Sequence, residues 1–144
     1  MKKSVRIISG ILGVIVLLPG VGKFMEPFKT LVNQQLVLSA IPFPDQMQFF
    51  VKFSQLTVGL VLIYLSFYGN ELKLRMRETT FYLANMTVIL MMLVASYVHL
   101  HPNVPAAVLP LGIKPPLIPI AYLILVFFNL YLYKSSPTKN STHV

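Results

Sequence analysis

Lys23, Glu26, Gln55, Asn85, His99 and His101 are the residues whose types and spacing could do chemistry in this chain. Lys23 and Glu26 stand three apart, so they could pair on one helical turn. They form either an ordinary interfacial ion pair or part of a polar site facing His99 or His101. In such a site Lys23 would offer positive charge to an anionic or carbonyl group, and the histidines could donate hydrogen bonds or take up a proton. A metal or haem centre is not expected. Two histidines one residue apart diverge on a helix, no carboxylate stands near them in sequence, and the third histidine, His143, lies in the tail. The chain has no cysteine, which removes disulfides, thiolate catalysis and iron–sulfur ligation. Gln55 and Asn85, with Thr57, Tyr64, Thr87, Ser96, Tyr97 and Asn129, interrupt apolar runs. They either hydrogen-bond between helices or line a pocket for a small amphiphile.

The elements that must position these residues are membrane spans. Of 144 residues, 56% are hydrophobic and 11% charged, too little charge to coat a water-soluble surface. Mean hydropathy is +0.72. A helix crossing the hydrocarbon core needs about 20 mostly apolar residues, and such runs cover about 4–22, 49–68, 81–100 and 117–133. The first follows Lys2-Lys3 as a signal peptide would. It is longer than a signal core and no A-x-A site follows, so a retained span is expected. Lys52, near the start of the second run, could snorkel to the interface. Pro115-Pro116 precede the fourth run and suit a helix start. No run carries a charge at its centre, which argues against an ion channel, a proton pump or an ion-coupled transporter.

The net charge of +8 is spread in short clusters between the runs. That pattern suits anionic lipid head groups rather than nucleic acid. Lys2, Lys3, Arg6, Lys73, Arg75, Arg77, Lys134 and Lys139 fall on one side, and Lys23, Lys29, Lys52 and Lys114 on the other. The bias places both termini in the cytoplasm. Glu78 would complement the start of the third span. Small residues Ser9, Gly10, Gly13 and Gly59 favour close helix packing in lipid.

Two segments outside the spans shape the other side. Pro19, the following glycines and Pro27 should end or bend the first helix. From Phe28 to Ala40 the spacing of Phe28, Leu31, Val32 and Leu36 predicts a short helix in the interface or dipping between spans, stopped by Pro42 and Pro44. Between positions 102 and 119 there are six prolines in a mostly apolar stretch. Irregular backbone at membrane depth must be covered by protein, so a rigid cap over the bundle mouth is expected. The fold class is therefore all-α: an integral membrane four-helix bundle with an interfacial or re-entrant segment after helix 1 and a Pro-rich outer loop between helices 3 and 4. Residues 1–134 form the membrane domain, and 135–144 a disordered cytoplasmic tail.

Gly10, Gly13 and then Gly20-x-x-Lys23-Phe24 at the end of a first helix resemble the DoxX and DoxX-like family of small four-helix membrane proteins, over about residues 4–133. The resemblance implies a bacterial inner-membrane bundle. Some family members are subunits of a thiosulfate:quinone oxidoreductase, some are partners of soluble redox enzymes, and animal relatives resemble receptor chaperones. Only Lys23 matches a family position. The leading expectation is a non-catalytic binding or accessory subunit, without activity alone, that holds a lipid, a quinone or a partner helix. The alternative is the quinone-linked membrane subunit of an oxidoreductase, which would need a soluble or membrane redox partner. A small-solute transporter ranks third, because the spans lack repeats and broken helices. No cofactor is evident beyond a candidate quinone, and no nucleic acid is expected.

Overall fold

The computed structural model describes residues 1–135. The expected disordered tail, with Lys139 and His143, lies outside the described residues except for Ser135. Among the described residues every regular element is helical. The helices are α1 (Lys3–Gly22), α2 (Phe28–Leu38), α3 (Pro44–Tyr68), α4 (Leu74–Leu100) and α5 (Leu117–Lys134). Two 3₁₀ turns, Ala106–Val108 and Pro110–Gly112, interrupt the Pro-rich segment. α1, α3, α4 and α5 are long and apolar enough to cross a membrane, the pattern of a multi-pass membrane protein.

Two helix starts differ from expectation. α3 begins at Pro44 rather than near 49, because Pro44 opens the helix instead of stopping the one before it. A proline at the first helical position loses no intrahelical hydrogen bond. α2 has already ended at Leu38, and the chain turns through Ala40 and Phe43, both with positive φ. α4 begins at Leu74, so Glu78 lies past its first turn and does not complement the helix start. α1 continues past Pro19 and ends among the glycines, at Gly22.

The long helices alternate in direction. Arg6 on the first turns of α1 donates from Nε to the Ser66 carbonyl (2.6 Å) and from an Nη to that of Phe67 (3.0 Å) at the end of α3. Lys2 Nζ reaches the Ser135 carbonyl past the end of α5 at 2.9 Å. The last carbonyls of a helix have no partner within it, and cations there also meet the negative end of the helix dipole. Two residues of the basic amino-terminal cluster thus close other helices. Phe81 near the start of α4 stacks on Tyr133 with ring centroids 4.1 Å apart. The described ends of the chain therefore meet at one end of the bundle. α2 and the Pro-rich cap occupy the other.

The inward stripe of α1 is Val5, Ser9, Leu12, Gly13, Val16 and Gly20, spaced for one helical face. It is no more apolar than the outward face, where Ile7, Ile11 and Leu18 are exposed. Large apolar side chains point outward on all four long helices, as a lipid solvent permits. Apolar layers around Leu12, Leu62 and Val88, and around Val5, Leu65 and Phe81, fill the interior. Between them lies a buried polar contact. Asn129 Nδ2 donates to Ser9 Oγ and to Asn85 Oδ1, each at 3.1 Å, and Asn85 Nδ2 donates to the Phe81 carbonyl at 2.8 Å.

α1 and α3 approach closest. A Cβ on Gly13 would stand 2.8 Å from the Gly59 carbonyl oxygen and 2.9 Å from the Ile63 backbone nitrogen. Backbone cannot step aside as a side chain can, so the crossing requires glycine. Gly13→Ala is expected to cost about 1–3 kcal/mol, as overpacking does, read as a lower unfolding midpoint in detergent. Gly22→Ala meets nothing within 4 Å and should leave that midpoint unchanged.

Candidate functional site

At the cap end the long helices separate around a cavity of about 770 Å³. The last turns of α1, the buried side of α2, the first half of α3 and the last turns of α4 form its walls, with the start of α5 and the Pro-rich segment. Its lining is mostly aliphatic, with Lys23, Gln35, Ser54, Gln55, Thr87, His99 and Tyr122 as the polar exceptions. The volume falls within the roughly 300–1,000 Å³ of small-molecule pockets.

Hydrogen bonds to backbone hold the cover in place. Val32 and Leu36 bury one side of α2. Gln48 Nε2 donates to the Lys29 carbonyl at 2.6 Å, and Asn33 Nδ2 to Asp45 Oδ1 at 3.0 Å, which fixes α2 on α3. Gln35 Nε2 donates to the Val108 carbonyl, and Tyr97 hydroxyl to that of Ser39 at 3.1 Å. Lys114 Nζ donates to the carbonyls of His101 and Val104 inside the Pro-rich segment. Val98, Val104 and Leu109 pack beneath it. The cover is thus a seated wall of the cavity, not a loose surface strand.

Pro19 stands in the wall of α1. A helical residue at that position would donate its N–H to Ile15, four residues back, and proline has none to give. The Tyr122 hydroxyl of α5 donates to the Ile15 carbonyl instead. The helix continues because another helix replaces the missing donor.

Of the six candidate residues, three meet at the cavity. Lys23, one residue past the end of α1, donates from Nζ to Gln55 Oε1 at 2.7 Å. His99 lines the same space; it is 4% exposed and its Nδ1 is buried with no hydrogen-bond partner. The other three lie elsewhere. Glu26 is exposed and accepts from the Thr30 hydroxyl at 2.7 Å and the Thr30 backbone N–H at 3.3 Å. Those bonds hold its carboxyl below the usual range. The Lys23–Glu26 ion pair is not formed. Asn85 belongs to the contact with Asn129 and Ser9. His101 closes α4, its ring edge-on to Tyr97 at 5.6 Å, and its Nδ1 accepts from Asn103 N–H at 3.4 Å.

Thr87 and Ser96 hydroxyls bond back to carbonyls four residues earlier, as isolated helical hydroxyls do. With α3 starting at Pro44, Lys52 sits two turns inside the helix, 8% exposed, with Nζ 5.3 Å from the Phe24 ring centroid. Tyr122, Gln35 and Ser54 are polar residues of the lining that the sequence did not single out for the site. No family model, no curated protein and no solved structure matches the chain.

The Lys23 ammonium is pushed down to about 8, first by burial and then by the charge of Lys52. Below that pH, Lys23 is charged folded and unfolded, and burying the charge lowers stability in full. Between about 8 and the ordinary 10.5 the folded protein has released a proton that the unfolded chain still holds. Stability therefore rises with pH across that window. The melting temperature of ligand-free protein, compared with Lys23→Met, should climb there; parallel pH curves would contradict it. A second expectation concerns α1. Tyr122→Phe leaves the Ile15 carbonyl unsatisfied and should cost about 1–3 kcal/mol. In a Pro19→Ala background that cost should shrink, because the restored N–H serves Ile15. A double-mutant cycle on unfolding midpoints reads the coupling.

Proposed function

We propose that this protein is a non-catalytic, DoxX-like membrane protein that holds an amphiphile inside its bundle. The observation that carries the reading is the cavity itself: a mostly aliphatic space with the donor Lys23 at its edge. An apolar tail suits the aliphatic lining and a polar head suits that donor. In this reading the four long helices span a bacterial inner membrane with both termini cytoplasmic, and the cavity opens in the outer half. The Lys/Arg bias supports that orientation, as does the meeting of Lys2 with Ser135 at one end. The protein acts as an accessory subunit, presenting or sequestering its ligand for a membrane or soluble partner.

A quinone-linked subunit of an oxidoreductase is the second reading. The same pocket favours it, since a quinone carbonyl could accept from Lys23 Nζ. Electrons would then come from a partner bearing the redox centre.

Native mass spectrometry of protein purified in mild detergent, with extraction of what it carries, tests both. A stoichiometric lipid supports the first reading and a stoichiometric quinone the second. Ala95→Trp places an indole in the cavity wall and should abolish the adduct while the bundle still melts cooperatively. An adduct that survives Ala95→Trp would place the ligand elsewhere and overturn the assignment of the cavity.

A further inference from the structure

Lys23 is the charged side chain of the cavity lining, and among the described residues no anion there meets it. Lys23 has Gln55 as its hydrogen-bond partner, a neutral amide. The charge acting on it is that of a buried lysine, Lys52. The chain has four acidic residues. Glu26 is bound to Thr30 on the surface and Asp45 to Asn33. Glu71 and Glu78 lie in the α3–α4 connection and early α4, at the opposite end. Among the described residues no carboxylate enters the cavity lining.

A half-buried ammonium without a counter-charge is unfavourable where the surroundings are mostly aliphatic. A neutral carbonyl would complete its hydrogen bonds and leave the charge uncompensated. An anionic oxygen does both, through a shorter and stronger charge-assisted bond. His99 also belongs to the lining, but its Nδ1 is enclosed by protein rather than open to the space, which leaves Lys23 as the charged donor there.

We infer that the cavity selects a single-chain amphiphile with an anionic head, a carboxylate or a phosphate, whose oxygens accept from Lys23 Nζ. The chain lies along the aliphatic walls that Leu90, Met91, Val94 and Ile118 contribute. This deepens the amphiphile reading above and rests on it. It also separates a charged head from a quinone, which has none.

The test titrates full-length protein in mild nonionic detergent with ligands of one chain length: palmitate, hexadecyl phosphate, hexadecanol and hexadecyltrimethylammonium. Occupancy is read by native mass spectrometry. At least one anionic ligand should bind about tenfold or more tighter than hexadecanol, as expected of charge-assisted bonds. The ammonium amphiphile should bind weakest. Preference for palmitate identifies a fatty-acid carboxylate as the source, and preference for hexadecyl phosphate a phosphate head. Lys23→Met should bring the anions level with the alcohol, and Lys23→Arg should keep the preference. Hexadecanol binding as tightly as both anions in the wild type would overturn the head-group assignment and leave the amphiphile reading standing. An undiminished anion preference in folded Lys23→Met would do the same. Failure of all four to bind would overturn both.

Discussion

Inside a bilayer a polar group cannot turn to water, so each must find its partner in the protein. Much of this structure follows from that constraint. Pro19 removes a donor from α1, and Tyr122 of α5 supplies one. The end of α3 exposes carbonyls, and Arg6 of α1 covers two of them. Asn129 joins Ser9 and Asn85 across three helices. Each bond contributes only about 0.6 kcal/mol on average in such proteins. Each nevertheless ties different helices together and fixes their rotation, which apolar contact with lipid-like neighbours would leave loose.

The cavity is where the constraint is left unmet. Lys23 is held by a neutral amide without an ionic partner, and His99 keeps an enclosed nitrogen unpaired. Groups left this way lower stability. The cover seats α2 and the Pro-rich segment by side-chain bonds to backbone, so the walls are formed before anything enters. Preorganisation of this kind reduces the ordering cost of binding.

The four spans and the helix at 28–38 were legible because long apolar runs and helical spacing reflect solvent and period directly. Their starts were less so. Pro44 reads as a stop in sequence, and only its place at the first turn of α3 makes it a start. Pro19 likewise signals a break that a tyrosine more than 100 residues away prevents, and nothing in the local pattern announces the pairing. Lys23, Gln55 and His99 could be named from their chemistry, as polar groups at span ends. Their separation from Glu26, Asn85 and His101 depends on helix rotation, which a mixed apolar sequence specifies weakly. Arg6 and Lys2 were visible as charges and hidden as helix closures, for that role lies in where two other helices end.

The link between Ser9, Asn85 and Asn129 bears on the order of synthesis. α1 carries Ser9 and leaves the ribosome before α4, which brings Asn85. Asn129 sits on α5, the latest of the three to emerge, and it is the member that touches both others. Until it arrives, the earlier helices hold polar side chains without their final partner in the interior. Entry of α5 is then the event that locks the bundle, and a chain truncated before it would remain an open set of helices for quality control to recognise.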